Sequence, residues 1–294
     1  WLASELKKAF PDFSYERPLY QCIPTIDVDN AFAYCHKGFF RNLGGAIRDV
    51  LLNRRSLVSE RMACLMRKRE DPFNTFDWIH QVHRKYGLSA RWFFLGGSYG
   101  RYDKNISLAH PAMQKIILDC ASNGLVGIHP SYHSFNNEKR MKREKELAEA
   151  VLRKSVTMSR QHFLRIRFPE TFRSLIRIGI REDYSLGYSS HPGFRAGIAS
   201  PFFFYDLLTE ETTGLMLYPF AFMDRTFYGP DGQVSASAAG ITGNIIRTVQ
   251  RVKGHLMFIF HNETFACPGT GWRDFYTEVL AKAISLEDDK VSGT

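Results

Sequence analysis

Two short groups of residues are the most able to do chemistry. In TIDVD, residues 25–29, an apolar strand runs into a loop and carries Asp27 and Asp29 two positions apart. Strand alternation turns both carboxylates to one face, so one can hold a cation while the other stays free as a base. In GIHPSYHS, His129 and His133 stand four residues apart. Pro130 suits the first position of a helical turn that would set both rings on one side. Each group has an ordinary reading as well: a turn aspartate bonding its own backbone, or two unrelated histidines. Together at strand ends they favour a metal, because one Asp and two His leave open positions, as in a catalytic rather than a structural zinc site.

Such residues need a scaffold that brings them together. Short apolar runs at 21–27, 90–96, 124–129, 156–165, 178–184, 214–219 and 255–260 predict strands. Amphipathic segments at 44–69, 75–86, 111–122, 138–154, 169–178 and 236–252 predict the helices between them. The alternation is that of an α/β protein, a (β/α) barrel of about seven parallel strands. In such a barrel the carboxyl ends of the strands share one rim, and Asp27, Asp29, His129, His133, Arg160, Asp183 and His261 all fall where strands are expected to end.

With 44% hydrophobic residues, the 294-residue chain can bury a large core, and no Pro-rich or Gly/Ser-rich linker divides it. One catalytic domain over residues 1–294 is expected, with 1–20 as a lead-in. The start at Trp1 suits a fragment or processed form of a longer chain. No run approaches the roughly 18 apolar residues that span a bilayer. Cys22, Cys35, Cys64, Cys120 and Cys267 are odd in number and contain no C-x-x-C pair, which argues against a disulfide framework or a cysteine zinc site. Reduced cysteines suit a cytoplasmic location, with export or an envelope location left open. The net charge of +9 favours an anionic partner, and residues 137–154 hold much of it. That segment has Met141 and Ala148 at helical spacing and reads as a solvated helix face, so no nucleic-acid partner is expected. The aromatic-rich region 185–232 reads as core more than as a sugar platform.

In their order and separation these motifs resemble the polysaccharide deacetylases of carbohydrate esterase family 4, the NodB-homology enzymes. Thr25 to Asp29 match that family's first motif and His129 to His133 its second. Arg160 in SRQHF matches the third, with His162 where proline is usual and with Arg165 and Arg167 as rivals. Asp183 with Tyr184 matches the fourth, and His261 in LMFIFHNE the fifth. Val28 between the two aspartates and Asn262 after His261 depart from the pattern. The resemblance covers residues 21–263 and implies a deacetylase-type barrel.

It further implies that Asp29, His129 and His133 bind the metal, with Asp27 as general base, although the two aspartates could exchange roles. Arg160 would pair with Asp27, and His261 would protonate the departing amine with Asp183 holding its charge and tautomer. Zinc is the expected ion, and cobalt, nickel or manganese suit the same ligands. The implied reaction removes an acetyl group from an N-acetylated sugar or polysaccharide. Two other readings stay open: hydrolysis of a non-sugar amide such as a cyclic imide or ureide on the same barrel, and a catalytically inactive glycan-binding module.

Overall fold

The structure is a computed structural model and describes residues 2–14, 19–266 and 269–285. Its strands are β1 (Gln21–Val28), β2 (Arg91–Leu95), β3 (Leu125–His129), β4 (Met158–Ser159), β5 (Glu182–Asp183), β6 (Phe202–Asp206), β7 (Glu211–Leu217), β8 (Phe222–Met223) and β9 (His255–His261). They form one sheet in the order β6-β7-β5-β4-β3-β2-β1-β9-β8. Every neighbouring pair is parallel except the β6–β7 hairpin at one edge. The α/β barrel expected from the sequence is therefore present as a curled, mostly parallel sheet, with two strands more than the expected number.

The helices are α1 (Leu2–Ala9), α2 (Phe39–Leu51), α3 (Arg55–Leu65), α4 (Phe76–Lys85), α5 (Pro111–Asn123), α6 (Glu138–Leu152), α7 (Glu170–Arg177), α8 (Ala238–Arg251) and α9 (Trp272–Ile284). The single helix expected over 44–69 is two, broken where Asn53 adopts a φ of 54°; Asn tolerates that left-handed region better than most residues. The strands expected over 156–165 and 178–184 shrink to two residues each. After Ser159 the chain turns sharply through His162–Leu164, where Phe163 has a φ of 57°.

The central strands are buried on both faces, as parallel strands covered by helices must be. On the outer face Ile26, Trp92, Phe94, Val126, Ile128, Phe258 and Phe260 pack in one core with helix residues such as Ile79, Ile117, Phe275 and Tyr276. The inner face holds Ile23, Phe93, Met158, Tyr184, Phe220, Met257 and Ile259. Phe204, Phe220, Phe222 and Phe227 are buried, as the core reading of region 185–232 expects. In α6, Met141, Ala148 and Leu152 face inward, which suits the solvated-face reading of its charges.

Arg160 reveals the curl. It follows β4, which two strands separate from β1, about 14 Å in a flat sheet. Its Nη1 nevertheless donates to Thr25 Oγ1 on β1 at 2.8 Å. Farther round, the backbone N–H of Phe220 donates to Leu186 O and that of Ala221 to Met257 O, at 3.1 and 2.7 Å. These bonds tie the segment after β5 to the edge beside β9.

Cys22, Cys35, Cys64 and Cys120 are free thiols, whereas Cys267 lies outside the described residues. Among the described residues no helix is long and apolar enough to cross a membrane.

Candidate metal centre

At the carboxyl-terminal rim the ends of β1, β3, β4, β8 and β9 converge. Asp27 pairs in register with His261 across β1 and β9. Asp29, just beyond β1, stands with His129 at the end of β3 and His162 in the turn after β4, and their ligand atoms all lie within 4.8 Å of one another. His129 Nε2 is 3.2 Å from Asp29 Oδ1, and His162 Nε2 is 3.4 Å from Asp29 Oδ2.

Both imidazoles are oriented from behind. His129 Nδ1–H donates to the Arg160 carbonyl at 2.5 Å, and His162 Nδ1–H to Asp103 Oδ1 at 2.9 Å. With Nδ1 engaged, each Nε2 faces the cluster, the orientation from which a deprotonated Nε2 ligates a metal. Asp29 Oδ1 is buried with no hydrogen-bond partner, which is costly unless a cation satisfies it. The donor set therefore fits a divalent ion.

The electrostatics point the same way. Burial opposes ionisation of Asp29, but the adjacent His129 and His162 imidazoles and the charge of His261 outweigh it and hold the carboxyl well below its usual range. Burial opposes protonation of His162 too, yet the Asp103 and Asp29 carboxylates raise it to about 9. The rim thus stabilises positive charge.

His133 does not join this group. It is exposed on the short turn Tyr132–Ser134, its ring against Tyr132 and Tyr102. The chain after Pro130 makes only a three-residue 3-10 turn, so the four-residue spacing does not place both rings on one helical face. The third member of the cluster is His162, the residue that stands where proline is usual in the third motif.

Asp27 and Arg160 meet as the resemblance implies. Arg160 is fully buried, and its Nη1 donates to Asp27 Oδ1 at 2.6 Å while its Nε donates to Tyr184 O at 2.9 Å. Its guanidinium carbon lies 4.5 Å above the Phe93 ring. Asp27 Oδ2 is 4.0 Å from His129 Nε2, so this carboxylate borders the cluster while anchored on its other oxygen. Of the rival arginines, Arg165 packs over Tyr132 and Phe135 and Arg167 pairs with Glu170 near the surface.

His261 does not contact Asp183, and here the structure corrects the expectation. Asp183 accepts from Ser159 Oγ at 2.8 Å and from the backbone N–H and hydroxyl of Ser185 at 2.9 and 3.0 Å, tying β4 to β5. Its burial raises its pKa, the Ser185, Ser159 and Arg160 contacts opposing this only in part. The partner of His261 is the fully buried Asp224, at the end of β8. Asp224 accepts from the His261 ring at 2.9 Å, from the His261 backbone N–H at 2.8 Å and from the Thr264 hydroxyl. Burial alone would lower the His261 pKa, but the charges of Asp224, Asp29 and Asp27 raise it to about 10. Its Nε2 lies 3.6 Å from Asp29 Oδ2, on the side of the cluster.

The sequence alone does not single out His162 as a candidate ligand, nor Asp103 and Asp224 as hydrogen-bond partners at the rim. The one local signal for Asp224 is its position directly after the apolar run FAFM, a strand end like the others. An apolar cleft of about 720 Å³ beside β6 and β7 includes none of these residues in its lining.

No protein-family profile matches the sequence, and no curated protein matches it. Solved structures do match. A Mycobacterium smegmatis protein assigned as a polysaccharide deacetylase superposes with a TM-score of 0.57 at 16% identity, over 92% of this chain and 87% of that one. A polysaccharide deacetylase from Bacillus cereus aligns with a TM-score of 0.42 at 11% identity, over 90% and 86%. A pseudoenzyme of carbohydrate esterase family 4 from Bacillus anthracis aligns with a TM-score of 0.43 at 11% identity, over 93% and 66%. The likeness to the Mycobacterium protein shows that this chain has the polysaccharide deacetylase fold.

Proposed function

We propose that this chain, on its deacetylase fold, is a metal-dependent hydrolase that removes N-acetyl groups from an amino sugar or polysaccharide. The observation that carries the reading is the convergence on one rim of Asp29, His129 and His162 with two flanking pairs, Asp27–Arg160 and His261–Asp224. The assignment of the Mycobacterium protein as a polysaccharide deacetylase supports an N-acetylated glycan as the substrate class.

Asp29, His129 and His162 would hold the ion, most simply zinc. When bound, such an ion polarises water and an amide carbonyl. Asp27, held by Arg160 and bordering the cluster, takes the proton of the attacking water. His261, kept as imidazolium by Asp224, gives its proton to the nitrogen that leaves as the amine. Acetate and a free amino sugar result. Asp224 sets the tautomer and orientation of His261 and needs no contact with substrate.

The test is acetate release from chitin oligosaccharides by the zinc-loaded chain, alongside Asp27→Asn. The variant is expected to keep its metal and to lose roughly 100- to 10,000-fold in rate, the range of one acid–base group. Unchanged turnover would remove Asp27 from the reaction. Turnover of cyclic ureides without acetate release from any glycan would overturn the substrate class.

A further inference from the structure

Helix α2, which packs on α3, wears its polarity inside out. In α2 the buried side chains are Asn42 and Asp49, whereas Phe39, Phe40 and Leu51 are 73%, 85% and 79% exposed, with Leu43, Ile47 and Val50 also exposed. At 3.6 residues per turn these six apolar residues span an arc of about 120° on the side away from Asn42 and Asp49. The inward polar face is fully employed. Arg61 of α3 donates from Nη1 to Asn42 Oδ1 at 3.1 Å and from Nη2 to Asp49 Oδ2 at 2.7 Å, and Asn42 Nδ2 donates to Tyr34 O at 2.9 Å. Gly45 lets that guanidinium approach, since a Cβ there would lie 2.7 Å from Arg61 Nη2. The outward apolar face is therefore built into the fold. On α3 and just after it, Met62, Leu65 and Met66 extend it.

Its charge indicates what covers it. From residue 39 to 69 there are eight basic residues and two acidic ones. Asp49 is buried against Arg61, and Glu60 accepts from the Tyr34 hydroxyl and lies 3.4 Å from Arg69. What faces solvent beside the apolar arc is mostly positive: Arg48, Arg54, Arg55, Arg67 and Lys68 are exposed, against the single exposed carboxylate of Glu70 just after the segment. A second copy docked symmetrically would set this positive rim against itself, because an isologous interface opposes like surfaces.

We propose that this helical pair docks the chain in the plane of an anionic lipid surface. Phe39, Phe40, Leu43 and Leu51 enter the boundary between headgroups and acyl chains, and the arginines meet the lipid phosphates. An apolar stripe with a basic flank and too little length to span is the pattern of an interfacial helix. The pair also adjoins the rim of the metal centre. Arg41 Nη2 donates to Lys104 O at 2.7 Å and its guanidinium lies 3.6 Å over the Tyr99 ring. That loop follows β2 and carries Asp103, which holds His162. Docking thus brings the candidate site near the headgroups, and it is independent of which reaction the site performs.

The experiment is co-sedimentation of the full chain with vesicles of phosphatidylcholine alone or with about 30% phosphatidylglycerol, an anionic fraction that supplies a negative surface potential. Binding to the anionic vesicles is expected, weakening as salt is raised. Phe40→Ser with Leu51→Ser should weaken partitioning about tenfold or more, because exposed apolar insertion is lost. Arg54→Glu with Arg55→Glu should remove the preference for anionic over neutral vesicles. All four side chains are exposed, and circular dichroism verifies that both variants fold. The proposal is overturned if the chain ignores anionic vesicles or if the Phe40/Leu51 variant binds them equally. It is also overturned if light scattering finds a dimer that the same two substitutions disperse, which would assign the face to a second copy.

Discussion

His133 and His162 have competing claims on the proposed metal site, and the geometry favours His162. His162 is buried with Nδ1 on Asp103 and Nε2 toward Asp29, while His133 is exposed against tyrosine rings. His162→Ala is accordingly expected to lose stoichiometric zinc in isothermal titration and His133→Ala to keep it. Asp103→Asn, which weakens the hold on the His162 ring, should cost roughly 10- to 100-fold in zinc affinity. A His133 variant that released the metal, beside a His162 variant that retained it, would reverse the assignment. Asp27, Asp29 and His129 could be picked out because each lies at or beside the carboxyl end of an apolar run, β1 or β3, that is visible in the residues themselves. His162 could not. It lies 33 residues from His129 with no local motif joining them, and its position in space depends on a turn containing a left-handed Phe163 that no periodicity announces.

At the scale of elements, the long strands and most helices follow from apolar spacing, and the short strands do not. β4, β5 and β8 have two residues each, so their ends, where chemistry collects, cannot be placed by alternation. Asp183 and Asp224 both end such strands, and which one meets His261 is decided by β8 lying beside β9, an adjacency written nowhere in local sequence. Helix α9, absent from the sequence reading, packs Tyr276 against α4, where its hydroxyl is 2.6 Å from His83 Nε2. Burial, together with neighbouring His80, lowers the His83 pKa from 6.5 to about 3. Neutral His83 shares a hydrogen bond with the tyrosine hydroxyl. Because the unfolded chain binds this proton first, the stability that His83 lends is complete above pH 6.5 and is lost as pH falls from 6.5 towards 3. The slope from this one group is at most about 1.4 kcal/mol per pH unit. His83→Gln, which can still hydrogen-bond to Tyr276, is expected to flatten the fall of Tm with pH across that window. An equally steep fall in both proteins would show that acid destabilisation arises elsewhere.

For the whole molecule, the curl of the sheet makes the site possible, because it brings Arg160 after β4 to Asp27 on β1 and sets Asp224 and His261 on the same rim. That curl rests on tight packing inside the sheet. At Gly127 in β3, an added Cβ would lie 2.7 Å from Met158 O, 2.8 Å from Phe93 Cε1 and 2.9 Å from Met158 Cβ. All three atoms belong to residues of the neighbouring strands β2 and β4, with no room to withdraw, since Met158 and Phe93 are themselves buried in the inner cluster. Gly127→Ala should therefore push β3 away from β4 and cost about 1–3 kcal/mol, the usual toll of overpacking a closed core. Gly214 in β7 is the control, because nothing stands within 4 Å of a Cβ there. Gly214→Ala should change stability by less than about 0.5 kcal/mol. Denaturant midpoints of the two variants measure the difference. Equal effects would mean that the interior yields easily, and that the approach of Arg160 to Asp27 is maintained by their own hydrogen bonds rather than by the packing of the sheet around them.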